Sequence, residues 1–542
     1  MKTSWFKRST IGLLALLFVL GTAMPAFGAG GARVWVEYRP GAKASVRAEL
    51  QRASAQFHHQ FDKLDAFVVS VPENALNGLR HNPNIVSIEV DPVRELVENK
   101  PSARASAEPE ALLLEQVVPY GVDMVQARDI WDANRDGKVD RKAPTGAGRT
   151  VCIIDTGLYE EHEDLQGVDV VGGYSQTNTD PAEWTYDGYG HGTHVAGTIV
   201  AMNNEYGVVG VTPGTVSLFI VKIFDDAGLW VSKAHASDLV EAAFLCADNG
   251  ANVISMSLSG TQKSGYEEKA FQSLYDAGIL SVAAASNDGI DEYHYPASYD
   301  SVISVAAIDQ YGVVADFSQH NDQVELAAPG VGVLSTLSYV PDSWLFVGDQ
   351  AYAGQPMEFS PYGTVTGLLA NGGRCLPTDT PVDWTGQVVL CERGDVSFAD
   401  KVTTVMNGGG LAVVVYNNVP GPFSGTLGAE GDWIVAISIS QEDGLAALAY
   451  GGQEVTVQSA PPIEGSSYEA WDGTSMATPH VSAVAALIWS WDTTLTNVEI
   501  REALTITAMD LGEDGRDNYY GFGLVQAYDA WEYLSGGKPG KK

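Results

Sequence analysis

Basic side chains are scarce in this sequence. Its 542 residues include 31 lysines and arginines against 68 aspartates and glutamates, which gives a formal net charge of -37 at pH 7. A surface of this charge repels polyanions, so nucleic acid and anionic membranes are excluded as natural partners. Most of the carboxylates are expected on a solvated acidic surface, and the remainder suit calcium binding.

Long apolar runs are also missing. The run Ile11–Leu20 follows a basic N-terminal region and is shorter than the ~20 residues that a membrane-spanning helix needs. Small residues up to Gly28 are typical of a signal-peptidase site. The sequence therefore predicts a signal peptide over residues 1–28, a secreted, extracellular protein and no stable membrane association.

Cysteine is limited to four residues. In an exported chain these are expected in disulfides. Cys375 and Cys391 lie close together within one segment and are predicted to pair. Cys152 and Cys246 have apolar strand-like and helix-like surroundings, and two options stay open for them, a second disulfide or two buried thiols.

Three regions follow from the hydrophobic pattern. Residues 32–95 form a small α+β unit with strands ARVWVEY, DAFVVSVP and NIVSIEVD and helices ASVRAELQRASAQF and PENALNGLRHN. The polar, Ala-rich stretch Glu98–Ala111 is predicted to be an exposed linker. From about residue 148, apolar strands alternate with helices, which predicts an α/β fold with a doubly wound, mostly parallel sheet. The five apolar runs interpreted as its strands are RTVCIIDTG, VSLFIVKIF, ANVISMSLSG, GILSVAAAS and SVISVAAID. The functional site of such a sheet lies at the carboxyl ends of its strands.

The alternating pattern stops at about Ser338. Residues 339–464 are rich in Gly, Pro and β-forming residues, and GQVVLCERG and GGLAVVVYNN suggest a second, smaller unit. The α/β pattern resumes at SSYEAWDGTSMATPH, so the stretch between is predicted to be an inserted domain.

Four polar residues stand at the ends of predicted strands or the starts of helices. Asp155 ends the strand VCIID, His191 begins a helix in GHGTHVAG, and Ser475 begins another in GTSMATP. A serine hydroxyl is a weak nucleophile that needs an imidazole base, which in turn needs a carboxylate to orient it. Asn287, in VAAASND, offers an amide to stabilise an oxyanion.

These motifs resemble those of the subtilisin-like serine proteases, in that family's order along the chain. The resemblance covers residues 116–338 and 466–530, and it implies a catalytic domain over residues 111–338 and 465–535. It further implies an inhibitory propeptide over residues 29–110 and a β-rich protease-associated domain over residues 339–464. Ser286 departs from the family, which usually has glycine before the oxyanion asparagine.

Other interpretations of single motifs are weaker. GTS at a helix start is often only a cap, HGTH lacks a third metal ligand at suitable spacing, and DTG occurs once although aspartic proteases need a carboxylate pair. An esterase elbow would need the order serine, acid, histidine. A catalytically idle binding protein, acting through the inserted domain, is the alternative that stays open.

The resemblance also implies a substrate site. The segment SMSLSG matches the family strand that pairs with an extended peptide, with pocket residues Ser257, Leu258, Ser259 and Gly260. The carboxylate of Asp288 is expected at the pocket rim. We expect cleavage after large apolar residues, with lysine and arginine tolerated better than glutamate.

Two calcium sites are predicted. The family's strong site is implied at Gln116, Asp164 and Asn204, with backbone oxygens of Met202, Tyr206 and Val208. DANRDGKVD places Asp132, Asn134, Asp136 and Asp140 at spacing similar to an EF-hand, but Ala143 replaces the final glutamate. A solvated turn is the equal alternative there.

Together these features predict a secreted, calcium-stabilised serine endopeptidase made as a self-processing zymogen. Its partners are expected to be protein and peptide substrates and its own propeptide, and the enzyme is expected to be a monomer. The mature chain is expected to start between Ala103 and Gln116. The inserted domain carries no catalytic group that the sequence reveals, and modulation of substrate access and a purely structural role both stay open.

Overall fold

The computed structural model describes residues 31–97, 100–101, 116–177, 181–225, 233–338, 343–348, 350–379, 383–418, 423, 425–460 and 467–536. The predicted signal peptide and most of the predicted linker lie outside these ranges. The chain divides into two compact units, residues 1–90 and residues 91–542. No helix in the described part of the chain has the length and apolar character needed to cross a membrane.

The first unit contains a four-stranded antiparallel sheet. In spatial order its strands are Gln56–Phe61, Ala66–Val71, Ala32–Tyr38 and Ile85–Val90, and its helices are Lys43–Arg52 and Glu73–Arg80. Leu50 and Leu79 of the helices pack into one core with Phe67. The helix predicted over residues 44–57 is too long, because Ser54 takes a left-handed φ of 57° and the chain then enters an edge strand.

A seven-stranded parallel sheet forms the centre of the second unit. Its spatial order is Val324–Pro329, Val302–Ile308, Leu280–Ala284, Val253–Met256, Thr150–Asp155, Ser217–Lys222 and Val170–Ser175. The strand order reverses beside Thr150–Asp155, which is where doubly wound folds place their sites. The five strands predicted from apolar runs are confirmed, whereas the two outermost strands were not predicted.

Helices cover this sheet and enter its core. They span Tyr120–Met124, Ala127–Trp131, His191–Val200, Ala236–Asp248, Gly265–Asp276, Thr474–Trp489, Asn497–Ile506 and Ala527–Leu534. Every residue of Thr474–Trp489 is buried, since this helix lies within the main core. The disulfide between Cys152 and Cys246 ties a central strand to a covering helix, which decides the option left open by the sequence.

The insert forms a closed seven-stranded barrel. Its strands, in spatial order, are Ser343–Val347, Gln350–Pro356, Val435–Ile439, Ala412–Tyr416, Gln387–Glu392, Gly363–Asn371 and Glu454–Ser459, with helices Phe398–Asn407 and Gln441–Ala447. The predicted disulfide between Cys375 and Cys391 is confirmed. A two-stranded antiparallel ribbon, Val333–Thr336 with Tyr468–Asp472, connects the barrel to the α/β core.

Two smaller sheets complete the second unit. Lys100–Pro101 pairs with the ribbon strand Tyr468–Asp472. Val93–Leu96 lies between Lys233–His235 and Leu258–Ser259, and both pairings are antiparallel. Short 3-10 turns occur at Asp62–Leu64, Glu163–Leu165, Glu183–Thr185, Pro377–Asp379 and Leu448–Tyr450.

Candidate active site

Asp155 and His191 meet at the ends of two elements. Asp155 is the last residue of strand Thr150–Asp155, and His191 is the first residue of helix His191–Val200. The Nδ1 atom of His191 lies 2.6 Å from Asp155 Oδ1, and both side chains are buried. This contact favours the tautomer with the proton on Nδ1 and leaves Nε2 unprotonated. Within the described residues, Nε2 has no hydrogen-bond partner.

Ser475 is the second residue of the buried helix Thr474–Trp489. Its hydroxyl lies 3.4 Å from the carbonyl oxygen of Ser257, and its own carbonyl accepts a hydrogen bond from Ser257 Oγ at 2.9 Å. The 3.4 Å contact is long, so the hydroxyl is able to rotate toward another acceptor. Trp471 links this segment to the histidine, since its ring centre lies 6.1 Å from that of His191.

The carboxamide of Asn287 is fixed by Thr474. Asn287 Oδ1 accepts hydrogen bonds from the Thr474 N–H at 2.9 Å and from its hydroxyl at 2.8 Å. The amide nitrogen is therefore the hydrogen-bond donor of the Asn287 side chain. The neighbouring Ser286 has a φ of 96°, in the left-handed region that favours glycine. Its N–H lies 3.3 Å from Thr474 Oγ1, so three hydrogen bonds join this loop to one threonine.

The substrate-binding residues predicted from the sequence lie on or directly beside the short strand Leu258–Ser259, close to Ser475. Leu258 pairs with Leu96, and Ser259 pairs with Glu95, in antiparallel register. The N–H of Val97 also donates to the carbonyl of Ser257 at 3.4 Å. An extended segment of the chain therefore lies along this strand and leads toward Ser475.

Comparison with known proteins assigns the family. A model of the subtilase family matches residues 146–365 and 411–523, which together exceed half of the chain. The chain belongs to the subtilase family. A PA domain model matches residues 352–447, within the predicted insert.

Several named subtilases are similar in sequence. The thermostable alkaline protease of Halalkalibacterium halodurans is 34% identical over 278 residues, which cover 51% of this chain and 66% of that protein. Subtilisin DY of Bacillus licheniformis is 40% identical over 225 residues, which cover 41% of this chain and 75% of that protein.

A solved structure supports the same assignment. The psychrophilic subtilisin-like protease Apa1 from the Antarctic psychrotroph Pseudoalteromonas sp. AS-11 is 34% identical, with a TM-score of 0.50, over 79% of this chain and 100% of that chain. The predicted family and fold class are confirmed, and the chain is a serine endopeptidase by family.

His194, the second histidine of the HGTH motif, is a core residue of this subtilase. Its ring stacks on Trp471 at 4.9 Å, and Nε2 lies 3.0 Å from the carbonyl oxygen of Glu469. Burial lowers the pKa of His194 to about 3, so the ring is neutral at physiological pH. These contacts commit His194 to packing rather than to a metal shared with His191.

Asp187 is a buried site residue that the sequence analysis missed. Its Oδ1 accepts from Thr156 Oγ1 and the Gly190 N–H, both at 2.8 Å. Its Oδ2 accepts from the Thr193 N–H at 2.8 Å and the Thr193 hydroxyl at 2.7 Å. Asp187 thus ties the turn after Asp155 to the start of the His191 helix. Asp187 stands three residues before the N-cap Gly190, so the usual N-cap pattern does not reveal it.

Asp288 lies at the surface, directly after Asn287 in the sequence. Its side chain is 56% exposed, and Oδ2 lies 3.2 Å from His294 Nε2. Burial lowers the pKa of His294, although Asp288 opposes that effect. At neutral pH the imidazole is therefore uncharged, and the Asp288 side chain faces solvent.

The six residues of the first predicted calcium site lie together. Four oxygens surround Gln116 Nε2, namely Met202 O at 2.8 Å, Asn204 Oδ1 at 3.1 Å, Tyr206 O at 3.4 Å and Val208 O at 3.4 Å. Asp164 accepts from Asn204 Nδ2 at 2.8 Å and from the Val208 N–H at 2.6 Å. Burial raises the pKa of Asp164 to about 6. Four oxygens of the type that calcium prefers thus accept from the Gln116 amide nitrogen, beside the Asp164 carboxylate.

The second predicted calcium loop is organised by local turns. Asn134 Nδ2 donates to Asp136 Oδ2 at 3.1 Å, and Asp140 Oδ2 accepts from the Ala133 N–H at 2.9 Å. Asp132 is buried, and its Oδ1 lacks a hydrogen-bond partner among the described residues. No group of three His, Cys, Asp or Glu side chains suited to a metal occurs in the part of the chain that the structure describes. This second site stays a prediction.

Proposed function

We propose that this subtilase hydrolyses peptide bonds in proteins through Asp155, His191 and Ser475. Ser475 Oγ attacks the peptide carbonyl while His191 Nε2 takes its proton, and His191 then gives that proton to the leaving amine. Asp155 orients the ring and stabilises its charged form. The 2.6 Å contact between Asp155 and His191 carries this proposal.

Two donors would hold the oxyanion. Asn287 Nδ2 is oriented by the two hydrogen bonds from Thr474, and the Ser475 N–H lies in the first turn of its helix. Helix starts favour negative charge, because their first N–H groups lack partners within the helix. Water then cleaves the acyl-enzyme by the same proton transfers in reverse.

The test is covalent labelling by a fluorophosphonate together with digestion of unfolded casein. The parent is expected to do both, and Ser475→Ala neither. Ser482→Ala is a matched control, since Ser482 lies on the same buried helix and bonds Ser255 Oγ at 2.9 Å instead. A parent that is folded but neither labels nor digests casein would favour the idle binding protein.

We also propose that residues 1–28 direct secretion and that residues 29–110 are an inhibitory propeptide. Support comes from Val93–Leu96, which pairs with Leu258–Ser259 as an extended substrate would. The Val97 N–H donates to the Ser257 carbonyl, which also contacts Ser475, and Lys100–Pro101 pairs with Trp471–Asp472 just before Ser475. The first cut is therefore proposed between Val97 and Lys100. A mature start between Ala103 and Gln116 would then need later trimming.

N-terminal sequencing tests this maturation. The parent should lose its N-terminal segment, and pure Ser475→Ala should keep it. If Ser475→Ala matures normally when made alone, self-processing is wrong.

We propose that calcium binds at Gln116, Asp164 and Asn204 and the three backbone carbonyls beside them. Bound there, calcium would supply charge that holds the loops together and take no part in the peptide hydrolysis. The convergence of oxygens on one point supports this proposal.

A further inference from the structure

Arg94 and Glu267 form an ion pair in which neither side chain has exposed surface. Arg94 Nε donates to Glu267 Oε1 at 3.0 Å, and Nη2 donates to Oε2 at 2.5 Å. The pKa of Arg94 is raised, because its interaction with the Glu267 carboxylate outweighs the effect of burial. A planar guanidinium matches a carboxylate in this two-point geometry, which a lysine ammonium does not reproduce.

The pocket around Arg94 is built by the catalytic core. Glu267 lies in the first turn of helix Gly265–Asp276, and the hydroxyl of Tyr299 donates to its Oε2 at 2.7 Å. Gly260 borders the same space, and a Cβ there would lie 2.8 Å from Arg94 Nη1 and 2.5 Å from the Val93 carbonyl oxygen. The absence of a side chain at position 260 therefore leaves room for the guanidinium and the extended backbone.

Arg94 itself stands on the strand that occupies the substrate position. Val93–Leu96 lies between Leu258–Ser259 and Lys233–His235. Arg94 is three residues before Val97, whose N–H donates to the Ser257 carbonyl. Among the described residues, Arg94 is the only cation paired with Glu267. Removal of the propeptide would therefore leave a buried carboxylate without its cation, facing the path of the substrate.

We propose that Glu267 makes this pocket a subsite selective for arginine in substrates. The selected residue lies three positions before the residue whose N–H binds the Ser257 carbonyl. This proposal rests on the proposed proteolytic function and adds a specificity-determining residue to it. It differs from the effect of Asp288, because the Glu267 carboxylate is enclosed whereas Asp288 is exposed.

The expected selectivity follows from the cost of leaving the buried Glu267 carboxylate without a cation. Replacing arginine by an uncharged residue should lower kcat/KM by about 30-fold, the lower end of the range for such pairs. Lysine should fall between the two, because it keeps the charge but loses one of the two parallel hydrogen bonds. The preference should persist at high salt, since an enclosed pair is little screened.

The test uses the mature enzyme and ten-residue fluorogenic peptides with the sequence of residues 91–100, DPVRELVENK. The residue at position 94 is arginine, lysine, methionine or glutamate, and mass spectrometry identifies the bond that is cut. The expected order of kcat/KM is arginine, lysine, methionine, glutamate. The same peptides without fluorophore serve as inhibitors of casein digestion, so the order is measured even if none is cut.

Two variants locate the selectivity. Glu267→Gln should reduce the arginine-to-methionine ratio at least tenfold. Glu268→Gln should leave the ratio unchanged, because Glu268 is exposed and pairs with Lys263 at 2.8 Å. Should Glu267→Gln fail to fold, the peptide order measured on the parent decides.

A ratio of arginine to methionine within twofold for the parent, in cleavage and in inhibition, would overturn the proposal. So would a folded Glu267→Gln enzyme with the parent ratio. Casein digestion by the same parent preparation separates these results from a failure of the proposed proteolytic function.

Discussion

Replacing Asp187 by asparagine tests how the site is held in place. The change keeps the volume but exchanges one carboxylate oxygen for an NH2 group. Each oxygen of Asp187 accepts one backbone N–H, from Gly190 or from Thr193. Either orientation of the amide therefore points its NH2 group at a backbone N–H. The threonine hydroxyls are able to rotate and accept instead, whereas a backbone N–H cannot.

The cost follows from these contacts. One buried backbone N–H loses its acceptor, and the remaining hydrogen bonds to Asp187 lose the benefit of a charged partner. We expect Asp187→Asn to lower the free energy of unfolding by about 2–4 kcal/mol. Urea unfolding in a Ser475→Ala background measures this without self-digestion. Asp316→Asn, at an exposed position, is the control and should stay within about 0.5 kcal/mol.

Activity supplies a second measurement. Gly190 and Thr193 flank His191 at the start of its helix, so a shifted Asp187 side chain displaces the base from Ser475. We expect kcat to fall at least about tenfold with KM nearly unchanged. An unfolding free energy within about 0.5 kcal/mol of the parent, or an unchanged kcat, would refute the role assigned to Asp187.

Four further predictions concern pH, calcium, backbone strain and substrate charge. Burial lowers the pKa values of His194 and His480 to about 3 and about 4, so below pH 6.5 the unfolded chain binds more protons than the folded one. Above pH 6.5 the two neutral histidines do not reduce the free energy of unfolding. By pH 5 each should reduce it by about 2 kcal/mol, as measured by urea unfolding at a series of pH values. A free energy of unfolding that does not change with pH would contradict this. Chelation by EDTA should lower the melting temperature, since a hundredfold excess of calcium over Kd stabilises by about 2.7 kcal/mol, and Asp164→Ala should remove most of the difference. An EDTA-insensitive melting curve would count against both calcium sites. Ser286→Gly relieves a left-handed φ and loses a 3.2 Å contact with Ser259, so unfolding should become harder by up to about 1 kcal/mol, and a net loss would show that the hydroxyl matters more. Asp288→Ser should reduce a few-fold preference for lysine over glutamate before the cut bond, which salt also weakens; equal cleavage of both by the parent would exclude this role.

The central sheet was predictable because buried parallel strands are continuous apolar runs. Leu280–Ala284 and Val302–Ile308 are buried at every residue, and apolar residues occupy nearly all of their positions. The edge strand Val170–Ser175 contains two glycines and exposed residues, so its pattern is not apolar throughout. Gln56–Phe61 is also an edge strand, and polar residues occupy most of its positions.

The proposed catalytic residues could be named from the sequence because each lies within a short local motif. Glu267 could not, since its role depends on Arg94, 173 residues away in sequence. Glu267 and Glu268 look alike in the sequence, yet one is buried and the other 44% exposed. The rotation of helix Gly265–Asp276 about its own axis decides which of the two glutamates is buried. Packing in the folded protein sets that rotation.

The ribbon that joins the barrel to the core determines how a force on the insert would reach the site. Thr336 stands opposite Tyr468, and the Ser343 hydroxyl accepts from the Ala460 N–H at 3.1 Å, so the barrel leaves and rejoins the core at one narrow neck. Loop-closure entropy grows only with the logarithm of loop length, so a hairpin accommodates a folded barrel as its tip at little cost. One strand of that neck ends at Asp472, three residues before Ser475. A force that pulls on the barrel would therefore act on both strands of the ribbon, one of which leads directly to Ser475.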